Sequence, residues 1–176
     1  MKDEYGKILE AIKFAIQMEI DGKAYYQKAS QETGNKVGKE LFDWLAGEED
    51  KHRQRFEEIY NSIKNQKAWP EVDIQPHKGD ILNTLFSEAI RSVGSNVKAA
   101  STELDTIDKA MEMEKKTEKF YSSQGEEAVY DAEKKLYTSL AAEERGHYLT
   151  LVDYREYLID PAGWFRKVEH HSLDGG

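Results

Sequence analysis

The sequence predicts an all-α protein, a four-helix bundle made of two repeated antiparallel helical hairpins. Three observations predict it. Apolar residues recur at steps of three and four along almost the whole chain. The three prolines, Pro70, Pro76 and Pro161, all fall outside those periodic runs. The second half of the chain repeats the first at a constant offset of 95 residues, which carries Glu49 onto Glu144 and His52 onto His147.

The first helix is predicted over about residues 4–31, ending near Gly34, a residue suited to a left-handed cap. The second runs over about 36–66, and the stretch QKAWPEVDIQPHKGD, with two prolines and a glycine, breaks it. A shorter helix, ILNTLFSEAIRSVG, follows. The third long helix occupies about 100–124 and stops near Gly125. The fourth runs over about 126–159, where DPAGWF ends it because Pro161 cannot continue the hydrogen-bond ladder. Short links join the first helix to the second and the third to the fourth. The connection over about 67–99 is far longer. Helices of this length span about 40 Å, and a connection of that size can travel the length of a bundle, so a crossover is expected between the hairpins. Residues 1–160 form the bundle in this reading, and 161–176 a C-terminal tail.

Composition narrows the function. The chain of 176 residues is long enough to bury a core without covalent staples. It has no cysteine, which excludes disulfides, thiolate zinc sites, iron–sulfur ligation and a cysteine nucleophile. The opening MKDEYGKILEAIKF is too charged and periodic for a signal peptide. Nothing approaches the roughly 18 consecutive apolar residues of a membrane span. A formal charge of −9 disfavours nucleic acid and anionic membranes as partners. A soluble, cytoplasmic protein is the expectation.

The repeat locates the chemistry. At the same offset Leu9 meets Leu104, Ile12 meets Ile107, Met18 meets Met113, Glu19 meets Glu114 and Tyr26 meets Tyr121. The apolar seam of the second helix reads Phe42, Leu45, Glu49, His52, Phe56, Ile59, Ile63. The fourth reads Tyr137, Leu140, Glu144, His147, Leu151, Tyr154, Leu158. Both are apolar at the ends and ionisable in the middle. The seam of the first helix is predicted as Leu9, Ile12, Ile16, Glu19, Lys23, Tyr26, and that of the third as Leu104, Ile107, Met111, Glu114, Glu118, Tyr121. Each helix therefore sends a carboxylate inward near its middle.

Four carboxylates in a low-dielectric core repel one another, and burying them unpaired is costly. Two divalent cations balance four negative charges, and neutral imidazoles complete their coordination. One Glu from each of two helices plus Glu-x-x-His from each of the other two is the donor set of ferritin-like di-iron and di-manganese sites. The spacing of three puts both side chains of a motif on one helix face. Oxygen and nitrogen donors without sulfur suit iron or manganese, with zinc as a further choice. The predicted metal ligands are Glu19, Glu49, His52, Glu114, Glu144 and His147.

Tyr26 and Tyr121 lie two turns beyond Glu19 and Glu114 on the same faces. They either hydrogen-bond the site's carboxylates or simply cap the core. Glu48 and Glu143 are rotated off the seam and are expected to be solvated or to brace the ligands. Glu118 is either an extra acid near the metals or, the preferred reading, a partner of Lys23, and Glu112 is expected to lie on the surface. His77, His170 and His171 are expected to face solvent.

In AIQMEIDGKAYY, LAGEEDKH, AMEMEKKTEKFY and LAAEERGH the chain resembles rubrerythrin-type members of the ferritin-like superfamily, over about residues 4–159. The resemblance implies a ferritin-like bundle with a non-haem di-iron site that reduces hydrogen peroxide to water. Manganese or a mixed metal pair is the alternative cofactor. It implies that Glu49 and Glu144 bridge the irons, with Glu19 and Glu114 as single-helix ligands and His52 and His147 completing the set. It also implies a homodimer. Three departures stand out. No cysteine is present for a rubredoxin module, so electrons must come from an external donor protein. The extra glutamate three residues after the third-helix ligand is Thr117 here, and its counterpart in the first helix is Gly22. Asp50 stands where bacterioferritin has its haem-binding methionine, so no haem is expected. Two rival functions remain: ferritin-like iron binding and oxidation with dioxygen, and a metal-free helical interaction module.

Overall fold

The structure is a computed structural model that describes residues 2–66, 69–70 and 101–166. Its long helices are α1 (Lys2–Glu32), α2 (Lys36–Gln66), α3 (Ser101–Glu127) and α4 (Asp131–Ile159). Residues 161–166 are helical as well. The expected short helix ILNTLFSEAIRSVG, nearly all of the 67–99 connection, and His77, His170 and His171 lie outside the described residues.

Two helix ends differ from expectation. Gly34 does not take a left-handed φ. Side chains close that turn instead: the Asn35 amide donates to Thr33 Oγ1 at 3.1 Å, and the Val37 amide donates to Asn35 Oδ1 at 2.9 Å. Asn35 thereby caps α2, which removes the need for a glycine cap. Gly125 does not stop α3, which continues to Glu127 with Gly125 buried against Tyr137 and Thr138. The fourth helix begins at Asp131 rather than 126. Glu133 Oε2 accepts the Val129 amide at 3.1 Å, satisfying a donor just ahead of its first turn.

α1 packs on α2, and α3 on α4, as two hairpins. The hairpins meet head to tail. Near the end of α1, Thr33 Oγ1 donates to Glu103 Oε1 at the start of α3, at 2.6 Å. At the opposite end Tyr5 stacks on Tyr130, with ring centroids 6.1 Å apart. Phe42 meets Tyr154, and Phe56 meets Tyr137, in the same sense between α2 and α4. α2 therefore ends at the opposite end of the bundle from where α3 begins, the placement that a crossover between the hairpins requires. This is the ferritin-like arrangement. Glu103 Oε1 also accepts the Tyr154 hydroxyl at 2.7 Å, tying three helices together. Gly38 makes room there, since a Cβ on it would sit 2.4 Å from Tyr154 Oη.

The apolar core is split in two. One half holds Tyr26, Phe42, Leu45, Leu151, Tyr154 and Tyr157. The other holds Ile12, Phe56, Ile63, Tyr121, Tyr137 and Leu140. Trp164, beyond Pro161, joins the first half by meeting the Tyr157 ring edge-on at 5.9 Å. The seams of α2 and α4 are buried as the periodicity predicts. Those of α1 and α3 are rotated. α1 buries Ile8, Ile12, Ala15, Glu19, Gly22, Tyr26 and Ala29, leaving Leu9, Ile16 and Lys23 at its margins. Small residues let α1 close on its neighbours, and hydrophobicity alone points to the longer side chains flanking them. Among the described residues no helix is long and apolar enough to cross a membrane.

Phe56 is fully buried between Tyr121 and Tyr137. Phe56→Ala is expected to cost about 3–5 kcal/mol in chemical denaturation of the metal-free protein. Leu149→Ser, at a side chain 52% exposed, should stay within about 0.5 kcal/mol of the parent.

Candidate metal centre

Between the two halves of the core the four helices bring together Glu19, Glu49, His52, Glu114, Glu144 and His147, all buried. The three-residue spacing within α2 and α4 aims each glutamate and histidine at the bundle axis. His52 Nδ1 lies 3.0 Å from Glu144 Oε1 and 3.6 Å from Glu19 Oε2. His147 Nδ1 lies 3.3 Å from Glu144 Oε2, and 3.7 Å from both Glu49 Oε1 and Glu114 Oε2. The two imidazoles stack, with centroids 5.8 Å apart and planes 17° from parallel.

These side chains form two donor groups. Glu19, Glu49, His52 and Glu144 make one; Glu49, Glu114, Glu144 and His147 make the other. Within each, one donor atom per residue lies within 4.8 Å of the rest. Glu49 and Glu144 belong to both, the placement expected of bridging carboxylates. Glu19 Oε2, both oxygens of Glu144, and Nδ1 of each histidine are buried without a hydrogen bond. Leaving so many polar atoms unsatisfied in an apolar core is strongly unfavourable. The donor set therefore fits a pair of divalent ions, which would satisfy these lone pairs and neutralise the carboxylates.

The electrostatics of the metal-free protein point the same way. Burial first, and then the Glu144 charge, push the Glu49 carboxyl well above its usual range. The same two causes carry Glu114 to about 8. Glu144 behaves oppositely: burial disfavours its charge, but the His52 and His147 imidazoliums beside it hold it low. Burial likewise disfavours the imidazoliums. The carboxylates of Glu144 and Glu143 nevertheless raise His52, and those of Glu114 and Glu144 carry His147 to about 10. Without metal, protons take over part of the charge balance.

The tyrosines resolve in favour of hydrogen bonding. The Tyr26 hydroxyl donates to Glu114 Oε1, and the Tyr121 hydroxyl donates to Glu19 Oε1. Each crosses to the opposite hairpin and ties one oxygen of a terminal carboxylate. Burial and the adjacent carboxylate charge raise both phenols, so they stay protonated as donors.

One open alternative is settled and two expectations need correction. Glu143 is not solvated: its Oε2 lies 3.0 Å from His52 Nε2, and its Oε1 lies 3.5 Å from Arg55 Nη1. It braces His52 from behind; burial pushes its carboxyl up, but the bond to His52 together with the charges of His52, Arg55 and His147 keeps it below the usual range. Glu48 is not solvated either. It is buried and pairs with Lys51 Nζ at 2.6 Å. The doubled glutamate in LAAEERGH was the available signal for Glu143, whose partners His52 and Arg55 lie on the second helix. Glu118 does not pair with Lys23. Its Oε2 lies 4.0 Å from Arg145, whereas Lys23 Nζ bonds Asp50 Oδ1 at 2.9 Å. Lys23 and Asp50 lie on adjacent helices of one hairpin, a closer match than the opposite hairpin offers. Glu112 is exposed, as expected.

A helical bundle with a buried Glu/His cluster compatible with a dinuclear metal site falls in the ferritin-like carboxylate class. The chain matches the Rubrerythrin family over residues 10–154 and belongs to that family. Its fold is similar to that of a hypothetical protein from Pyrococcus furiosus, at 25% identity and a TM-score of 0.63. That similarity covers 86% of this chain and 89% of the other. No curated protein matches the chain.

Two outcomes are expected. Glu143→Gln should weaken metal binding by about 10–100-fold, measured by calorimetric titration. Metal uptake should release protons, because Glu114 and His147 in the metal-free protein keep theirs up to about pH 8 and about pH 10. Apparent affinity should therefore rise between pH 6 and pH 8. Titrations in buffers of different ionisation enthalpy would count the protons released.

Proposed function

We propose that this protein reduces peroxide at a dinuclear iron centre, drawing electrons from an external donor protein. The observation that carries this reading is the pair of donor groups sharing Glu49 and Glu144. The chemistry such a metal pair supplies when bound is two electrons delivered at one place, the number that cleavage of an O–O bond consumes. In this reading Glu49 and Glu144 span both metal positions, Glu19 with His52 completes one, and Glu114 with His147 completes the other.

The chain's own residues preorganise that centre. Tyr121 holds Glu19 by Oε1, which leaves Glu19 Oε2 buried and aimed toward His52 Nδ1. Tyr26 does the same for Glu114, whose Oε2 faces His147. Glu143 engages His52 through Nε2, which turns Nδ1 toward the cluster, where it would serve as the donor atom once a metal displaces its proton. The two apolar halves of the core keep bulk water from the carboxylates on either side. With no cysteine in the sequence, the electrons that restore the centre come from outside the chain.

Protein purified without oxygen should carry about two metal ions per chain, and Glu144→Leu/His147→Leu should carry none. Metal-free, the double variant should remain folded, because it removes a buried charge and leaves apolar side chains in its place. Ferrous-loaded parent protein should be oxidised by hydrogen peroxide faster than free ferrous ion. A rate no faster than free iron, with two metals bound, would overturn the peroxide reading. Rapid oxidation by dioxygen with continued iron uptake beyond two ions would favour iron handling instead.

A further inference from the structure

A cavity of about 340 Å³ lies between α1 and α3 and reaches the cluster. Glu49 and Glu114 stand at its inner end, and Met18, Met113 and the Tyr25 ring form its walls. Asp21 and Lys116, both exposed, mark its rim. Met18 corresponds to Met113, Asp21 to Lys116 and Gly22 to Thr117 at the 95-residue offset, whereas the counterparts of Tyr25, Tyr26, Glu49 and Glu114 do not line the cavity, so the repeat frames it only in part.

Its width comes from two small residues. Gly22 is buried, and a Cβ there would meet Glu49 Oε2 at 3.2 Å. Thr117 uses its hydroxyl on the Met113 carbonyl at 3.2 Å, so its polar end is already satisfied. A volume of about 340 Å³ is in the range of pockets for small organic molecules, roughly 300–1,000 Å³. A molecule of two oxygen atoms fills only a small part of it. The walls are of the adaptable, apolar kind that accept varied hydrocarbon groups, while the inner end is acidic and polar.

We infer that this cavity houses the organic group of a small hydroperoxide, ROOH, with the O–O end directed at Glu49 and Glu114. The inference rests on the peroxide reading above and specifies its substrate. The O–O bond breaks, two electrons from the external donor and two protons from solvent are taken up, and ROH and water leave. Met18, Met113 and Thr117 set the size of R.

The test uses protein with 13C-labelled methionine methyl groups, loaded with redox-inert zinc, titrated with cumyl alcohol, the product of cumene hydroperoxide reduction. The sequence has four methionines, so each methyl signal is separately readable. Saturable shifts at Met18 and Met113, with Met1 and Met111 unmoved, are expected. Thr117→Phe should abolish these shifts. In iron-loaded protein it should also lower the ratio of kcat/KM for cumene hydroperoxide to that for hydrogen peroxide by about tenfold or more. Absence of the shifts in the parent protein overturns the inference whether or not the variant folds. Turnover of hydrogen peroxide without these shifts overturns the inference while leaving the peroxide reading intact. Shifts with neither peroxide reduced overturn the peroxide reading and the hydroperoxide assignment with it.

Discussion

Four carboxylates and two imidazoles buried at one level of a helical bundle form the constraint around which the rest of this protein is arranged. Such a cluster is unstable by itself, because burial and mutual repulsion both oppose its charge. The apolar core is divided into halves above and below it. Each half supplies one tyrosine that crosses hairpins to a terminal carboxylate, Tyr26 to Glu114 and Tyr121 to Glu19. The same aromatic rings that fill the core thus also aim the donor atoms. A dinuclear metal pair would convert the least favourable layer of the bundle into a cross-link among all four helices.

The pseudo-twofold repeat builds the cluster, and its departures give the site direction. Glu49 and Glu144 are equivalent in the repeat, yet in the metal-free protein burial pushes the carboxyl of Glu49 up while the imidazoliums hold that of Glu144 low. Of the four cluster carboxylates Glu144 lies closest to both imidazoles, which accounts for the difference. Glu143 braces His52, while its counterpart Glu48 pairs with Lys51. Gly22 and Thr117 face each other across the axis and leave a cavity on the α1/α3 side. A perfectly repeated site would have two equivalent halves. This one has distinct surroundings for its two donor groups and, among the described residues, an approach from the α1/α3 face.

Membership of the Rubrerythrin family fits the bundle and the donor set. The sequence holds no cysteine, so none of its residues can form a thiolate iron site. The position where the resemblance leads one to look for an additional carboxylate is occupied by a threonine bonded to its own helix, and its repeat counterpart is a glycine. Both leave space beside the cluster instead of another charge.

How much of this was legible in the sequence follows from what each pattern encodes. Periodicity established four helices, and the constant 95-residue offset established that they form two equivalent hairpins. Glu-x-x-His on an apolar seam, found twice in one register, identified the six buried donors, because the i,i+3 geometry of a helix is local and needs no tertiary information. Helix ends were less legible, since Asn35 and Glu133 close turns through side-chain bonds that outcompete a glycine signal. The inward faces of α1 and α3 were misplaced by one residue, because small residues mark close helix approach without marking hydrophobicity. Only the tertiary structure decided the partners of Glu143, Lys23 and the two tyrosines. Those contacts join residues 27 to 102 positions apart, and their geometry depends on how the two hairpins rotate against each other. The cavity beside Glu49 and Glu114 is of the same kind: it exists only where two helices leave a gap between side chains that are remote in the chain.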